Sequence, residues 1–153
     1  MSGVEDRLSQ MGLTVPAVAA PVAAYVPAIR DGNIVMTSGQ LPMVDGKLAA
    51  TGKVGAEVTP EQATDLARSC ALNAIAAVKS LVPDLDTVRV IKVVGFVASD
   101  PSFTGQPGVI NGASQLLADA FGEKGAHARS AVGVAVLPLD APVEVEITVS
   151  VQG

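Results

Sequence analysis

An α+β fold is predicted for this sequence, with a mixed sheet carrying two helices on one face. Three observations predict it. Two segments repeat apolar residues at three-and-four spacing, the period of a helix face. Val- and Ile-rich runs stand between and after them, in the pattern of half-buried or fully buried strands. Asp-Gly, Pro and Gly punctuate the chain so that the order reads β-β-(β)-α-β-α-β-β, and such alternation builds a layer of helices on a sheet.

Residues 1–15 form a short amphipathic start, with Val4, Leu8 and Met11 on one face and Gly12 ending it. Residues 16–24 are expected to be an extended linker, because each Pro disfavours helix in the residue before it. Tyr25–Arg30 and Asn33–Thr37 read as a hairpin turning at Asp31-Gly32, and a second turn falls at Asp45-Gly46. The first long helix has Thr59 as N-cap, Pro60 in its first position and Gln62 closing a capping box. Its stripe is Ala63, Leu66, Ala67, Cys70, Ala74, Ala77, Val78 and Leu81, and Pro83 marks the stop. Val88–Ala98 is a buried strand. The second helix begins near Pro107, with the stripe Val109, Ile110, Ala113, Leu116, Leu117, Ala120 and Phe121, and closes at Gly122. Ser130–Leu137 and Val143–Val151 are the last strands. A single helical layer leaves one sheet face bare. In the 88–98 strand Val88, Val90 and Val94 oppose Ile91, Val93 and Val97, so both faces are apolar and the bare one is expected to meet another subunit.

Composition narrows the function classes. The 153 residues suit one domain, 1–153, with residues 1–20 as an N-terminal extension. Half the chain is hydrophobic (49%) and mean hydropathy is +0.45, too apolar for disorder. Net charge is −5, no basic run occurs, and aromatics make up 3%. Nucleic-acid binding needs phosphate-neutralising cations and stacking rings, so it is disfavoured. The lone Cys70 excludes an internal disulfide and a cysteine-rich metal site. The sequence shows no basic-then-apolar leader and no uninterrupted apolar run of 18 residues, so a cytoplasmic protein off the membrane is expected.

Few polar residues can carry chemistry. His127 is the single histidine, which removes a multi-histidine metal centre; no metal is expected. There is no GxGxxG after a strand and no Walker-type loop, and Gly112-Ala-Ser114 lies inside a helix pattern rather than a nucleophile elbow, so no cofactor is expected. Arg129 stands where a loop enters an apolar strand. A planar fork of donors there either clamps a carboxylate or pairs with a structural one such as Glu144 or Glu146.

Asn33-Ile-Val-Met-Thr-Ser-Gly-Gln-Leu-Pro42 resembles the early strand of the RidA/YjgF-like family, and Arg129-Ser-Ala-Val-Gly-Val-Ala-Val-Leu-Pro138 followed by Val143-Glu-Val-Glu146 resembles its C-terminal signature. With Thr59–Ala63, Val109–Asn111 and the 88–98 strand, the similarity covers roughly residues 20–151. It is closest to the longer branch, whose members are often labelled endoribonuclease L-PSP. The resemblance implies a chorismate-mutase-like fold and a homotrimer, a barrel of sheets with clefts between subunits. It implies hydrolysis of reactive imines or enamines of small carboxylate metabolites to keto acid and ammonia. Arg129 then matches the arginine that holds the carboxylate, Tyr25 a tyrosine lining the cleft, Ser38 and Gly39 the loop that shapes it, Asn111 an asparagine on the second helix, and Glu144 an acid near the reacting carbon. The family's cysteine two residues after the arginine is Ala131 here, which leaves only a backbone carbonyl to act.

Each role has a plainer counterpart. His127 is a proton shuttle or a loop histidine bonded to backbone. Tyr25 lines a cleft or packs an interface; Asn111 binds a ligand or satisfies a helix start; Ser38-Gly39 shapes a site or merely ends a strand. Cys70 fits the helix stripe as core. Two rival functions stand beside the hydrolase: an endoribonuclease, and a protein that captures a small carboxylate without turning it over. Ala131 and the 99–107 loop favour the latter, since either reshapes a cleft.

Overall fold

The computed structural model describes residues 3–18 and 24–153. Its α-helices are α1 (Val4–Gln10), α2 (Pro60–Lys79) and α3 (Gln106–Phe121). Its strands are β1 (Ala28–Asp31), β2 (Ile34–Thr37), β3 (Met43–Val44), β4 (Lys47–Leu48), β5 (Val88–Ala98), β6 (Ala128–Val134) and β7 (Val143–Val151). Five strands form one mixed sheet in the order β1-β2-β7-β5-β6, and β3-β4 is a separate hairpin. Only β5 and β6 run parallel, because α3 carries the chain back between them.

The helices cover one face. Val143, Val145, Ile147 and Val149 of β7 point into that layer, each at most 2% exposed, against Ala67, Cys70, Ala74 and Ile75 of α2 and Ile110, Ala113 and Leu117 of α3. The capping box of α2 forms as expected: Thr59 Oγ1 accepts from Gln62 N, and Gln62 Oε1 from Thr59 N. Leu81 lies beyond the helix end and is partly exposed rather than part of the stripe. The two long helices approach closely at Gly112, where an added methyl would collide with the carbonyl of Thr64.

A third helix joins the two long ones, for the amphipathic start expected at residues 1–15 is helical over Val4–Gln10. Val4 and Leu8 are buried, and α1 packs against α3, held by Arg7 Nη1 donating to Ala120 O at 2.8 Å and by Val4 N donating to Asp86 Oδ1 at 2.8 Å. A seven-residue helix gains its stability from such packing rather than from its own propensity. Gly12, at φ +76°, ends the segment as expected. Of the linker expected at 16–24, residues 19–23 lie outside the described residues.

Three other readings shift. In the first hairpin Asp31 pairs with Ile34, so the loop is Gly32-Asn33, one residue later than predicted; the positive φ of +61° falls on Gly32. The sixth strand begins at Ala128 and ends at Val134, because β5, its only neighbour in the sheet, ends at Ala98 opposite Val134. The third shift is in β5, where an irregularity between Val90 and Lys92 puts an extra residue, Ile91, into the strand. Val88 and Val90 face the helices before it, and Val93, Gly95 and Val97 after it; Val94 and Phe96 turn to the other face. Strict alternation had placed Val93 and Val97 opposite Val88.

That other face is bare of helices. It carries Ile29 (62% exposed), Met36 (50% exposed) and Val132, with Val94, Phe96, Glu144, Glu146 and Thr148 between them, as the pairings Ile29–Met36, Met36–Thr148, Val94–Glu146 and Phe96–Glu144 require.

Candidate functional site

Arg129 is the second residue of β6, an edge strand, and sits opposite Val93 on the helix-covered side. Its Nη1 donates to Asn111 Oδ1 at 2.7 Å and to Ser114 Oγ at 3.3 Å. Asn111 and Ser114 stand three residues apart on α3 and so share one face of the helix, the face that meets β6. Both partners are neutral. Among the described residues no carboxylate pairs with Arg129: the ion pairs are Lys53–Asp140 and Lys79–Glu5. The pairing with Glu144 or Glu146 left open by the sequence is not made. Both lie on the bare face, with β5 standing between their strand and that of Arg129.

His127 adjoins this group. Its Nε2 is 2.9 Å from Ser114 Oγ and its Nδ1 is 2.6 Å from the carbonyl of Gly125. Asn111, Ser114 and His127 line an open groove of about 750 Å³ that continues along α2 past Thr64, Asp65 and Arg68. Ala131 sits opposite Gly95 and packs its methyl against the core on the same side as Arg129. A longer side chain at 131 would therefore point the same way as the guanidinium.

The remaining candidates gather elsewhere. Tyr25 and Ser38 line a shallower hollow of about 370 Å³ with Val26, Ile29 and Met36. Ser38 Oγ donates to Val26 O at 2.6 Å and Ser38 N to Pro27 O at 2.8 Å, which fastens the loop after β2 back on the segment before β1. Gln40 then exchanges two backbone hydrogen bonds with Val145, at 2.8 and 3.0 Å, and so places Gly39 against Glu144. A methyl at Gly39 would meet the Glu144 carboxylate, which would have to swing aside to admit it. From below, buried Asn73 of α2 donates to the carbonyls of Leu41 and Met43 and steadies the same loop.

Glu144 is half-buried, and its carboxyl is pushed above its ordinary value, first by desolvation and then by the like charge of Glu146 on the same strand face. Burial raises the Cys70 thiol well above its ordinary range; the side chain is wholly buried against Val143 and is core, as read. In the 99–107 loop, Ser102 donates to the Asp100 carboxylate from its hydroxyl and its backbone N–H, and these bonds hold that carboxyl below the usual range. No group of three or more His, Cys, Asp or Glu side chains among the described residues is placed to hold a metal ion.

The predicted residues thus form two clusters in one chain. Arg129, Asn111, His127 and Ala131 stand on the helix side at the β6 edge, while Tyr25, Ser38, Gly39 and Glu144 belong to the β1–β2 end and the bare face. Ser114 is the polar member that sequence reasoning passed over. The signal available was its spacing from Asn111, but helix spacing alone does not say which strand a face will meet.

A family model described as "YjgF/chorismate mutase-like, putative endoribonuclease" matches residues 5–149. The chain belongs to the YjgF/chorismate mutase-like family. Within it, the chain is 45% identical over 148 residues to Protein TCP17 of Trypanosoma cruzi, covering 95% of this chain and 92% of that one. It is similar in structure to Atu1372 of Agrobacterium tumefaciens, a protein of unknown function, with a TM-score of 0.92, 48% identity, and 97% and 92% of the two chains covered. Escherichia coli TdcF, solved with bound serine, is a more distant member, with a TM-score of 0.66, 26% identity, and 92% and 96% covered. The YjgF-type fold expected from the two sequence signatures is therefore the fold this chain adopts. Among the described residues no helix is long and apolar enough to cross a membrane.

Proposed function

We propose that this YjgF-family chain hydrolyses imines or enamines of small carboxylate metabolites to keto acid and ammonia. In this reading the site is a cleft completed by a neighbouring copy in a homotrimer. The observation that supports it is the state of Arg129: a partly exposed guanidinium held by neutral oxygens only, with its charge uncompensated by any described carboxylate. Such a fork suits an incoming carboxylate.

The reaction asks little more of the protein. An imine carbon is electrophilic already, so orientation and proton transfer suffice. Arg129 holds the substrate carboxylate. Water adds across the C=N bond, one proton passes from the water oxygen to nitrogen, and the C–N bond breaks as the carbonyl forms and ammonia leaves. Glu144, whose carboxyl is raised above its ordinary value by burial and by Glu146, is the proton carrier; the Ala131 carbonyl helps hold the water. Arg129 and Glu144 point to opposite faces of one sheet, so the reading needs the Glu144 cluster of one protomer beside the Arg129 cluster of the next. The apolar bare face supports that association.

The test is ammonia release from freshly generated imines of amino acids. Arg129→Ala is expected to keep the fold and lose the activity; full activity in that variant refutes the assignment. The family description offers endoribonuclease as a second reading. The net charge of −5 and the 3% of aromatics argue against RNA as substrate, and incubation with RNA at low salt, wild type beside Arg129→Ala, separates the two.

A further inference from the structure

We propose that Ser114 and His127 are positioning residues that lock the Arg129 guanidinium in place and leave its Nε–Nη2 edge free for the substrate carboxylate. The proposal rests on the hydrolase reading for the identity of that carboxylate and on hydrogen-bond geometry for everything else.

The direction of each bond follows from what each atom can do. The Gly125 carbonyl only accepts, so a neutral His127 ring 2.6 Å away carries its proton on Nδ1. Its Nε2 then has a lone pair and no hydrogen. Ser114 Oγ, 2.9 Å from Nε2, therefore donates its hydroxyl proton to the ring. With that proton committed, the hydroxyl oxygen turns its lone pairs outward and accepts from Arg129 Nη1. The second Nη1 hydrogen goes to Asn111 Oδ1 at 2.7 Å.

A guanidinium has five N–H groups. The two on Nη1 are consumed by Asn111 and Ser114, which leaves the single hydrogen of Nε and the two of Nη2. The Nε hydrogen and one of the two on Nη2 lie along one edge of the planar fork, the arrangement that grips a carboxylate with two parallel bonds. Without the ring, the Ser114 hydroxyl is free to rotate and to point its proton at Nη1, which turns an acceptor into a repelling donor. His127 thus acts on Arg129 through Ser114 and needs no contact with substrate. The relay runs from the turn after α3, through α3, to the edge strand, so three separate pieces of backbone fix one side chain.

Two measurements on the full-length protein test it. His127 is the only histidine, so a nitrogen-15 spectrum of the histidine-labelled protein reads this ring without overlap. The expected result is an Nδ1–H ring with a hydrogen-bonded, unprotonated Nε2. Calorimetric binding of pyruvate, a 2-oxo acid of the product class, reads the guanidinium. Ser114→Ala is expected to weaken pyruvate about tenfold, the usual loss for a hydrogen bond to a charged group. Ser114→Thr, which keeps the hydroxyl, is expected to restore most of the affinity. In imine hydrolysis the Ser114→Ala defect is expected in KM, with kcat little changed, because the lost grip is shared by ground and transition states. In an Arg129→Lys background the Ser114→Ala effect on pyruvate binding is expected to vanish. An Nε2–H ring in the wild type, or unchanged pyruvate affinity in Ser114→Ala, overturns the relay. Protein that binds pyruvate with this mutant pattern but releases no ammonia loses the hydrolase reading and keeps the relay; protein that binds no 2-oxo acid loses both.

Discussion

At Glu144 burial and the like charge of Glu146 act in the same direction, and the consequence is a measurable pH signature. A carboxyl whose folded value lies above its ordinary 4.5 binds its proton more tightly folded than unfolded. Its contribution to stability is therefore complete below about pH 4.5 and is lost as pH rises through the folded value. Glu144→Gln should flatten the fall in urea midpoint over that interval; a slope equal to wild type would show that the group is not perturbed. Glu146→Gln removes the neighbouring charge, so the Glu144 carboxyl should drop toward its ordinary value. In the hydrolase reading this moves the limb of the kcat/KM profile governed by Glu144 to lower pH, and an unmoved limb would separate Glu144 from the chemistry.

Among the elements, the contact between α2 and α3 is the most sharply defined. Gly112 admits no side chain because the Thr64 carbonyl occupies the space, and a methyl there forces the helices apart. Gly112→Ala should cost about 1–3 kcal/mol in denaturant unfolding, and since Gly112 lies between Asn111 and Ser114 on the helix, it should also weaken carboxylate binding. Wild-type stability in this variant would mean that the contact is looser than drawn. The helices themselves were legible in sequence because Thr59, Pro60 and Gln62 signal a start locally and the stripes repeat over several turns. Arg129 was legible for a similar local reason, a lone guanidinium at the mouth of an apolar strand. The apolar face of α1 was legible in Val4 and Leu8, closed by Gly12. Two things were not legible. The phase of β5 depends on a single inserted residue. The partnership of Ser114 with Arg129 depends on which face of α3 meets β6, and that is decided by packing across a sequence separation of 15 residues.

For the whole molecule, the separation of Arg129 from Glu144 turns association into a question of chemistry. A ring of three with head-to-tail contacts places one protomer's edge cluster against the next one's loop cluster at each seam. Light scattering should then give three times the 15.4 kDa chain mass. Mixing separately inactive Arg129→Ala and Glu144→Gln chains, unfolded and refolded together in equal amounts, should recover about a quarter of wild-type activity. A seam works only when each side supplies its intact residue, and random head-to-tail assembly meets that condition at about one seam in four. No recovery would place both groups within one protomer or remove one of them from the reaction.

The added residue in β5 has a consequence for how this strand can change over evolution. It acts as a phase slip in a two-residue rhythm, so the strand's two ends belong to different beats. Loss of Ile91 would join Val90 to Lys92 opposite the consecutive partners Val149 and Thr148, and the strand would run as one unbroken alternation with Val93, Gly95 and Val97 still toward the helices. Point changes at Ile91 touch only a side chain on the outer surface, and a one-codon deletion there would remove the bulge without changing the face that any other residue takes. The strand can therefore drift in residue type at that point, and shorten there by one, with its core residues held in place.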